Sequence, residues 1–402
     1  MAERIVTPQA GIWPALVRGA KLAGLAGTLL LAACQTMIPK GAPPPEPTAP
    51  VEKPVDEPIQ PGLPTDANRH RIALLVPMSG PNAGVGQSIA NATTMALLDT
   101  RTDKLRITTY DTRAGAAAAA QRAVAEGNRL ILGPLLSDDV RQVAPIAKRA
   151  GVPVVSFSND VGAAQDGVFL MGFSPTQAID RVVKFARAKG MTNFAALVPA
   201  GTYGERSGQA LLRSVQQSGG TVVSLQTFDR TPLSMLAAIR KIDAASDYDA
   251  ILIADSGRVA VQAAPLIRRG KGAGAQILGT ELWNTEGSLA GQPDLRGAWF
   301  ASVSDTLYGQ LATKYRARYG AAPFRLSSLG YDAVLLTVRI AGNWKVGTPF
   351  PMARLTDPDG FSGIDGAFRF NRNGIAERAL EVSQINAGSF SVVDAAPRGF
   401  GQ

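Results

Sequence analysis

The sequence predicts an α/β protein with two lobes, each a doubly wound parallel sheet with helices on both faces. The chain has 402 residues, 46% of them hydrophobic and 18% charged, which suits a globular protein with two domain-sized cores and an additional segment. From residue 70 onward, short continuous apolar runs alternate with stretches of helical spacing. Such runs are typical of strands buried on both faces, and their alternation with helices favours parallel sheets. The alternation occurs twice, which indicates two lobes.

The first series of elements has the predicted order βαβαβαβ. Its opening apolar run is interrupted after Pro77 by turn residues, and helical spacing begins a few residues later. The strands of this series are predicted at 71–77, 105–110, 129–132 and 152–157, and its helices at 85–99, 115–126 and 138–149.

The second series repeats the same rhythm and predicts the second sheet. Its strands are predicted at 194–198, 221–225, 250–254 and 276–278, and its helices at 204–218, 232–245 and 259–269. A further strand at 299–301 and helices at 308–319 and 326–341 follow. Residues 366–370 and 379–382 predict a hairpin joined by a turn at 371–374.

Residues 1–33 predict an export signal. Arg18 and Lys21 precede an apolar run of about ten residues, which is too short to cross a bilayer because a spanning helix needs about 20. The run ends in Leu31-Ala-Ala-Cys34, and Cys34 is the only cysteine of the chain. This ending resembles the bacterial lipobox, which implies that Cys34 is lipidated and becomes the new N-terminus. Gln35 after the cysteine, by the same resemblance, favours the outer membrane over the inner one.

The segment from Cys34 to residue 68 predicts a disordered, proline-rich tether. Its composition shifts to proline and acidic residues, which cannot bury enough apolar surface to fold. Extended polyproline-like states would give it a reach of about 100 Å. The tether would therefore lift the folded part away from a membrane, and the alternative interpretation is a proline-motif ligand.

The composition excludes several classes of function. One cysteine and one histidine cannot form a multi-cysteine zinc site, an iron–sulfur cluster or an internal disulfide. A Ser-His-Asp site would need His70, which lies at the end of the tether, where an exposed or capping role is expected. The net charge of +9 is dispersed, and its densest cluster, residues 268–271, lacks interleaved aromatic residues. We therefore expect no catalytic residues, no metal, no cofactor and no nucleic-acid partner.

The loops that follow the predicted strands contain the candidate ligand-binding residues. In open parallel sheets, ligands bind beyond the carboxyl ends of the strands, where helix N-termini also converge. The polar or aromatic residues selected by this criterion are Ser79, Ser137, Ser158, Tyr203, Asp255, Glu281 and Trp283.

Each of these candidates also has a purely structural interpretation. Asp138 and Asp139 follow Ser137, so Ser137 is equally an N-cap with acids in the first helical turn. Asp255 and Glu281 are alternatively solvated loop acids. Trp283 is either an apolar wall for a ligand or part of the core.

Several of these motifs together resemble the type 1 periplasmic-binding-protein fold and its leucine/isoleucine/valine-binding family. The resemblance covers residues 70–395 and lies in 72–81, Gly133-Pro134, 152–154 and 194–204. It implies two lobes joined by a hinge that the chain crosses near 173, 301 and 341–350. One lobe would contain 69–173 plus 302–345, and the other 174–301 plus 346–395. In amino-acid-binding relatives, the loops matching Ser137 and Ser158 hold the ligand carboxylate, and an acid such as Asp255 or Glu281 pairs with its ammonium.

Within that superfamily, the chain is more similar to the lipoprotein activators of penicillin-binding proteins. This likeness lies in 111–113, 132–135, 279–283 and 357–366. It implies a non-enzymatic lipoprotein, anchored at the periplasmic face of a membrane, that stimulates a peptidoglycan synthase by direct contact. The alternatives are an amino-acid-binding component of an ABC transporter and a ligand sensor. The expected partners are thus a penicillin-binding protein or another envelope protein, with an amino acid or a peptidoglycan fragment as a possible ligand.

Overall fold

The computed structural model describes residues 68–284 and 286–400. The predicted signal peptide, Cys34 and the tether up to residue 67 lie outside these described residues. In the part that is described, no helix combines the length and the apolar character that crossing a membrane would need.

The first series of elements forms close to its predicted limits, with one additional strand. The strands are β1 (His70–Val76), β2 (Leu105–Asp111), β3 (Leu130–Leu132), β4 (Val154–Ser156) and β5 (Val168–Leu170). The helices are α1 (Ala83–Thr100), α2 (Ala116–Ala125) and α3 (Ser137–Arg149). All neighbouring pairs are parallel, in the order β2-β1-β3-β4-β5.

The second series begins with a helix that the sequence pattern did not predict. The helices are α4 (Pro175–Ala188), α5 (Thr202–Gln217), α6 (Pro232–Asp243) and α7 (Gly257–Arg269). The strands are β6 (Asn193–Pro199), β7 (Thr221–Phe228), β8 (Ala250–Ile253), β9 (Gln276–Gly279) and β10 (Trp299–Ser302).

The last part of the chain forms a third, three-stranded sheet and adds two strands to the second sheet. Its helices are α8 (Thr306–Tyr319) and α9 (Ser327–Ala341). Its strands are β11 (Phe361–Gly363), β12 (Gly366–Phe370), β13 (Ala376–Arg378), β14 (Glu381–Asn386) and β15 (Ser389–Asp394). The third sheet has the order β11-β12-β13. The second sheet has the order β15-β14-β10-β9-β8-β6-β7, in which β14 and β15 are the antiparallel additions. The predicted α/β class with two parallel-dominated sheets is confirmed.

The predicted hairpin at 366–370 and 379–382 is wrong in its second strand. Strand β12 pairs with β13, only six residues after β12 ends, whereas β14 pairs with β10 in the second sheet. The turn at 371–374 is correct, because the backbone N–H of Gly374 donates to the Asn371 carbonyl. This tight turn lets β13 pair directly with β12, and the next strand, β14, joins the second sheet.

The third crossing between the sheets also lies later than the expected 341–350. Trp344 and Phe350 remain in the core of the first sheet, together with Phe361 and Phe368. The assignment of all of 346–395 to the second lobe is therefore wrong for the aromatic segment up to β13. The chain leaves the first sheet after β5, returns after β10 and leaves again between β13 and β14.

Candidate functional site

A cavity of about 660 Å³ lies where the loops of the two sheets meet. The first sheet contributes the loops after β3 and β4, the second sheet the residues after β9, and the segment before α9 completes the wall. The lining is mainly apolar, and only two of its residues carry charge. The residues that line it are Asn82, Val85, Leu135, Leu136, Phe157, Asn159, Phe173, Glu281, Leu282, Pro323, Phe324, Arg325 and Leu326.

Glu281 is the acidic residue of this cleft, and its carboxylate is buried. It begins a short 3₁₀ helix, Glu281–Trp283, directly after β9. The Tyr203 hydroxyl donates to its Oε1 at 3.0 Å, whereas its Oε2 is buried and has no hydrogen-bond partner. Burial raises the pKa of Glu281 to about 7, and the hydrogen bonds from its own backbone, Tyr203 and Thr280 only partly oppose this.

Tyr203 is part of the same cluster, as the strand-edge criterion predicts. It lies in the first turn of α5, and its hydroxyl is 3.0 Å from the hydroxyl of Thr280 as well as from Glu281. Burial and the neighbouring Glu281 charge raise the pKa of Tyr203 well above its ordinary value. The tyrosine therefore stays neutral and acts as a hydrogen-bond donor to the carboxylate.

Arg325 is the basic residue of the cleft, and the sequence criterion missed it. Its Nη1 lies 2.7 Å from Asp365 Oδ1, and its Nη2 lies 3.3 Å from Asp305 Oδ1. The guanidinium carbon lies 4.1 Å from the centre of the Tyr308 ring. Arg325 precedes α9 and follows no parallel strand, so a criterion based on strand ends cannot select it.

Asp255 does not line the cavity, in contrast to the interpretation as a ligand contact. It is 3% exposed, its Oδ2 accepts from Arg230 Nε at 2.8 Å, and its Oδ1 accepts from the Ser256 N–H at 2.7 Å. Both carboxylate oxygens are thus engaged within the second lobe. The alternative of a solvated loop acid is wrong as well, because the residue is buried.

Trp283 is a core residue, and the interpretation as a cleft wall is wrong. Its side chain is fully buried in the core of the second sheet, and its ring Nε1 donates to the Asp255 carbonyl at 3.0 Å. The ring packs directly on Gly279, where an added Cβ would lie 2.2 Å from it. The indole therefore orients the segment that bears Glu281.

The three serine candidates are bonded within the first lobe and lie outside the lining of the cleft. Ser79 donates to Asp111 Oδ2 at 2.8 Å, and the Ser158 hydroxyl accepts from the Asp160 N–H at 3.2 Å. Ser137 begins α3, so the N-cap position belongs to Leu136, one residue earlier than the structural interpretation expected.

The first turn of α3 carries its own negative charges. Asp138 is paired with Arg141 at 2.6 Å, and the same arginine also contacts Asp160 at 2.9 Å. Burial, with a smaller effect of the Asp138 charge, raises the pKa of Asp139. A ligand carboxylate at this helix N-terminus would meet two acids.

His70, the single histidine, is buried and does not take the exposed position that was expected. Its ring stacks on Trp344 with centroids 3.7 Å apart, and its Nε2 lies 3.1 Å from the Trp344 carbonyl oxygen. Burial lowers the pKa of His70. Within the described residues, no group of three or more histidine, cysteine or acidic side chains is arranged to hold a metal ion.

Residues 70–389 match the family model described as periplasmic binding protein. A protein of Rickettsia prowazekii (strain Madrid E), named uncharacterized protein RP748, is 27% identical over 178 residues. That match covers 44% of this chain and 48% of the Rickettsia protein, so it spans about half the length of that relative.

Two solved structures illustrate the range of proteins with this fold. A putative branched-chain amino acid ABC transporter protein from Rhodospirillum rubrum has a TM-score of 0.71 at 20% identity, covering 81% of this chain and all of that one. The C-domain of LpoA (YraM) from Haemophilus influenzae, a regulator of PBP1A, has a TM-score of 0.63 at 19% identity. The match covers 80% of this chain and 99% of that one. Both likenesses concern the fold.

Proposed function

Because this chain belongs to the periplasmic binding protein family, we propose that it is a non-catalytic envelope protein that stimulates a penicillin-binding protein by direct contact. The likeness to the LpoA C-domain, whose solved structure is described as a regulator of PBP1A, supports this proposal. Such a protein needs no reacting groups. It acts when it binds the active state of the synthase more tightly than the inactive state.

The observation that carries the proposal is the state of the carboxylate-binding positions. An amino-acid-binding cleft needs donors for the ligand carboxylate, and here the Ser79 hydroxyl already donates to Asp111 Oδ2. The Ser158 hydroxyl, which accepts from the Asp160 N–H, lies outside the lining of the cleft. Asp138 and Asp139 occupy the helix turn where an anion would bind. This arrangement disfavours a free amino acid and supports a function based on protein contact.

The same proposal includes attachment to the periplasmic face of a membrane, with the outer membrane favoured. Cys34 would carry the lipid, and residues 34–68 would span up to about 100 Å between the membrane and the folded part. Replacement of Cys34 by alanine in the full chain should move the protein from the membrane fraction to the soluble fraction. Complete retention of that variant in membranes would contradict the lipid anchor.

Binding between the full chain and a purified class A penicillin-binding protein of the same organism tests the contact directly. We expect saturable binding in a biolayer or surface-plasmon experiment, with one copy of each protein in the complex. A branched-chain amino-acid-binding protein of the same fold is the matched control, and it should show no binding. The absence of saturable binding at micromolar concentrations would contradict the proposal.

A second candidate function, supported by Glu281, is the binding of a small ligand in the cleft. Glu281, whose buried Oε2 has no hydrogen-bond partner, lines a cavity that is large enough for an amino acid or a peptidoglycan fragment. The protein would then be a ligand sensor or a solute-binding component. A thermal-shift panel of both compound classes tests this function, because a ligand at 100 times its Kd should stabilise the protein by about 2.7 kcal/mol.

A further inference from the structure

We propose that strand β15 is a docking edge for a second copy of this chain. β15 is the terminal strand of the seven-stranded sheet, with β14 on its inner side. Two copies would join edge to edge and antiparallel, about a twofold axis at Ser391, so that their sheets become continuous. This inference depends neither on the stimulation of a synthase nor on a ligand in the cleft.

Strand β15 is rich in exposed apolar side chains. Among the described residues, eleven large apolar side chains are exposed, and three of them lie on this six-residue strand. They are Phe390, Val392 and Val393, which are 37%, 53% and 38% exposed. Aromatic and β-branched residues favour strands, and an exposed edge strand of this composition is a template for pairing with another strand.

The backbone of β15 offers hydrogen bonds to a further strand at two alternate residues. A two-residue loop joins β14 to β15, and the pair that flanks such a loop, Asn386 and Ser389, exchanges hydrogen bonds within the hairpin. Ser391 faces β14 in the same way, because hydrogen-bonded pairs alternate along an antiparallel ladder. The N–H and C=O groups of Phe390 and Val392 therefore point away from β14.

One antiparallel register uses all of these outward groups. It places Phe390 of each copy opposite Val392 of the other, with Ser391 on the twofold axis. Each such pair joins an aromatic and a β-branched side chain on the same face of the sheet. A shift by two residues in either direction places one of the outward residues opposite the turn at Gly388 or opposite Asp394, which itself pairs with β14.

The charge and the shape of the edge fit a second copy. Residues 389–393 carry no charge, and Asp394 is paired with Arg181 of the same chain at 2.7 Å. Two copies therefore meet without repulsion between like charges, which is a common protection of natural edge strands. A β-bulge after Val392 ends the regular ladder, so the contact is confined to residues 389–392 and its register is fixed.

The pairing is closed and weak. Two antiparallel β15 strands occupy the edge of each other, which leaves no β15 edge for a third copy. Phe390 already packs edge-on against Phe300, with ring centres 5.7 Å apart, so little side-chain freedom is lost on pairing. One short strand per copy is smaller than a standard interface, and we expect a Kd on the order of 100 μM. At the micromolar concentrations of the synthase experiment the chain is therefore a monomer.

Disulfide trapping of the full chain tests the register. In the Cys34→Ala background, an introduced cysteine supplies the only thiol. Ser391→Cys should form a disulfide-linked dimer under mild oxidation, because the two copies of this position face each other on the twofold axis. Ser389→Cys is the matched control and should form at least tenfold less dimer, because its two copies lie about 13 Å apart along the strands.

Sedimentation velocity of the same Cys34→Ala chain measures the pairing without a cross-link. Between about 10 and 500 μM, the chain should pass from monomer to mainly dimer. Val392→Lys should weaken dimerisation at least tenfold, because it removes the cross-strand pair and brings two positive charges to the edge. Val346→Lys, at a 37% exposed valine that follows α9, is the matched control and should leave dimerisation unchanged.

Two results would overturn the inference directly. These are equal cross-linking of Ser391→Cys and Ser389→Cys, and a chain that stays monomeric at about 500 μM. A monomeric chain whose stimulation of the synthase is lost in Val392→Lys would assign the edge to a strand of the synthase, and it would thereby reject the second copy as the occupant.

Discussion

At the scale of single residues, Glu281 links the cleft to pH. Its pKa of about 7 lies well above the ordinary value of 4.5, because the carboxyl is buried. The folded protein therefore retains this proton at pH values where the unfolded chain has lost it. The protonated carboxyl of Glu281 favours folding, and its ionisation opposes folding. The contribution of Glu281 to the free energy of unfolding is therefore complete below pH 4.5 and is lost as the pH rises through 7.

Glu281→Gln should remove this pH dependence. Relative to the wild type, the variant should gain free energy of unfolding between pH 5 and 8, by at most about 3 kcal/mol. Urea unfolding at a series of pH values measures the difference. A difference in unfolding free energy between the variant and the wild type that stays constant across this pH range would show that the carboxyl is not buried as described.

Arg378 is a buried arginine near two buried acids, of which Asp365 is also paired with Arg325. It is 8% exposed, its Nη2 donates to the Met171 carbonyl at 2.7 Å, and its charge acts on Asp332 and Asp365. Burial and the neighbouring Asp365 raise the pKa of Asp332 to about 7, whereas Arg378 opposes this rise. The arginine also ties the crossing after β5 to strand β13.

Arg378→Met should destabilise the protein by about 3 kcal/mol, because the buried Asp332 loses the positive charge that opposes the rise of its pKa and the Met171 carbonyl loses its donor. Arg339→Met is the matched control. The guanidinium carbon of Arg339 lies 5.4 Å from the centre of the Phe361 ring, but Arg339 itself is exposed. Thermal and urea unfolding measure both variants. A loss below about 1 kcal/mol for Arg378→Met would contradict the compensating role.

At the scale of elements, hydrophobic patterning predicted every parallel strand of the two large sheets except β5. Strand β1 has a continuous apolar sequence, which makes its type and limits plain. Strand β5 has only three residues, a length at which an apolar run carries little information. Helix α4 was missed although Ser174 and Pro175 form a typical helix start, a signal that could have located it.

The candidate site was predicted in part for a related reason. The carboxyl ends of parallel strands are visible in the sequence, and they led to Glu281 and Tyr203. Arg325 reaches the cleft through tertiary packing before α9, and no local pattern records this. The burial of Trp283 and the internal bonds of Asp255 are likewise decided by contacts between distant residues.

Helix α5 offers a direct test of the packing between element and sheet. An added Cβ at Gly204 would lie 1.6 Å from the Pro199 carbonyl oxygen, whereas one at Gly208 would lie 3.2 Å from a flexible methyl of Leu225. Gly204→Ala should therefore destabilise the protein by about 3 kcal/mol. Gly208→Ala should change stability by less than about 1 kcal/mol, because higher helix propensity offsets the tight contact.

Urea unfolding of the two alanine variants, compared with the wild type, measures this difference. Equal stabilities for Gly204→Ala and Gly208→Ala would show that the helix start lies farther from β6 than the structure places it.

At the scale of the whole molecule, charged contacts join the two lobes at several points. Asp160 of the first lobe lies 3.7 Å from Arg206 of α5, and Arg325 contacts Asp305 at the end of the second crossing. The sequence could not place the third crossing, because His70 and Trp344, 274 residues apart, hold the late segment in the first core. Lobe arrangement thus depends on contacts that only the folded chain brings together.

The central claim is that this two-lobed protein acts by contact with a peptidoglycan synthase. The most direct measurement is the rate of glycan polymerisation and cross-linking by a purified class A penicillin-binding protein of the same organism, with increasing amounts of the full chain. We expect the rate to rise severalfold and to saturate at a one-to-one ratio, and Glu281→Gln to stimulate equally well. An unchanged rate at saturating concentrations would contradict the claim.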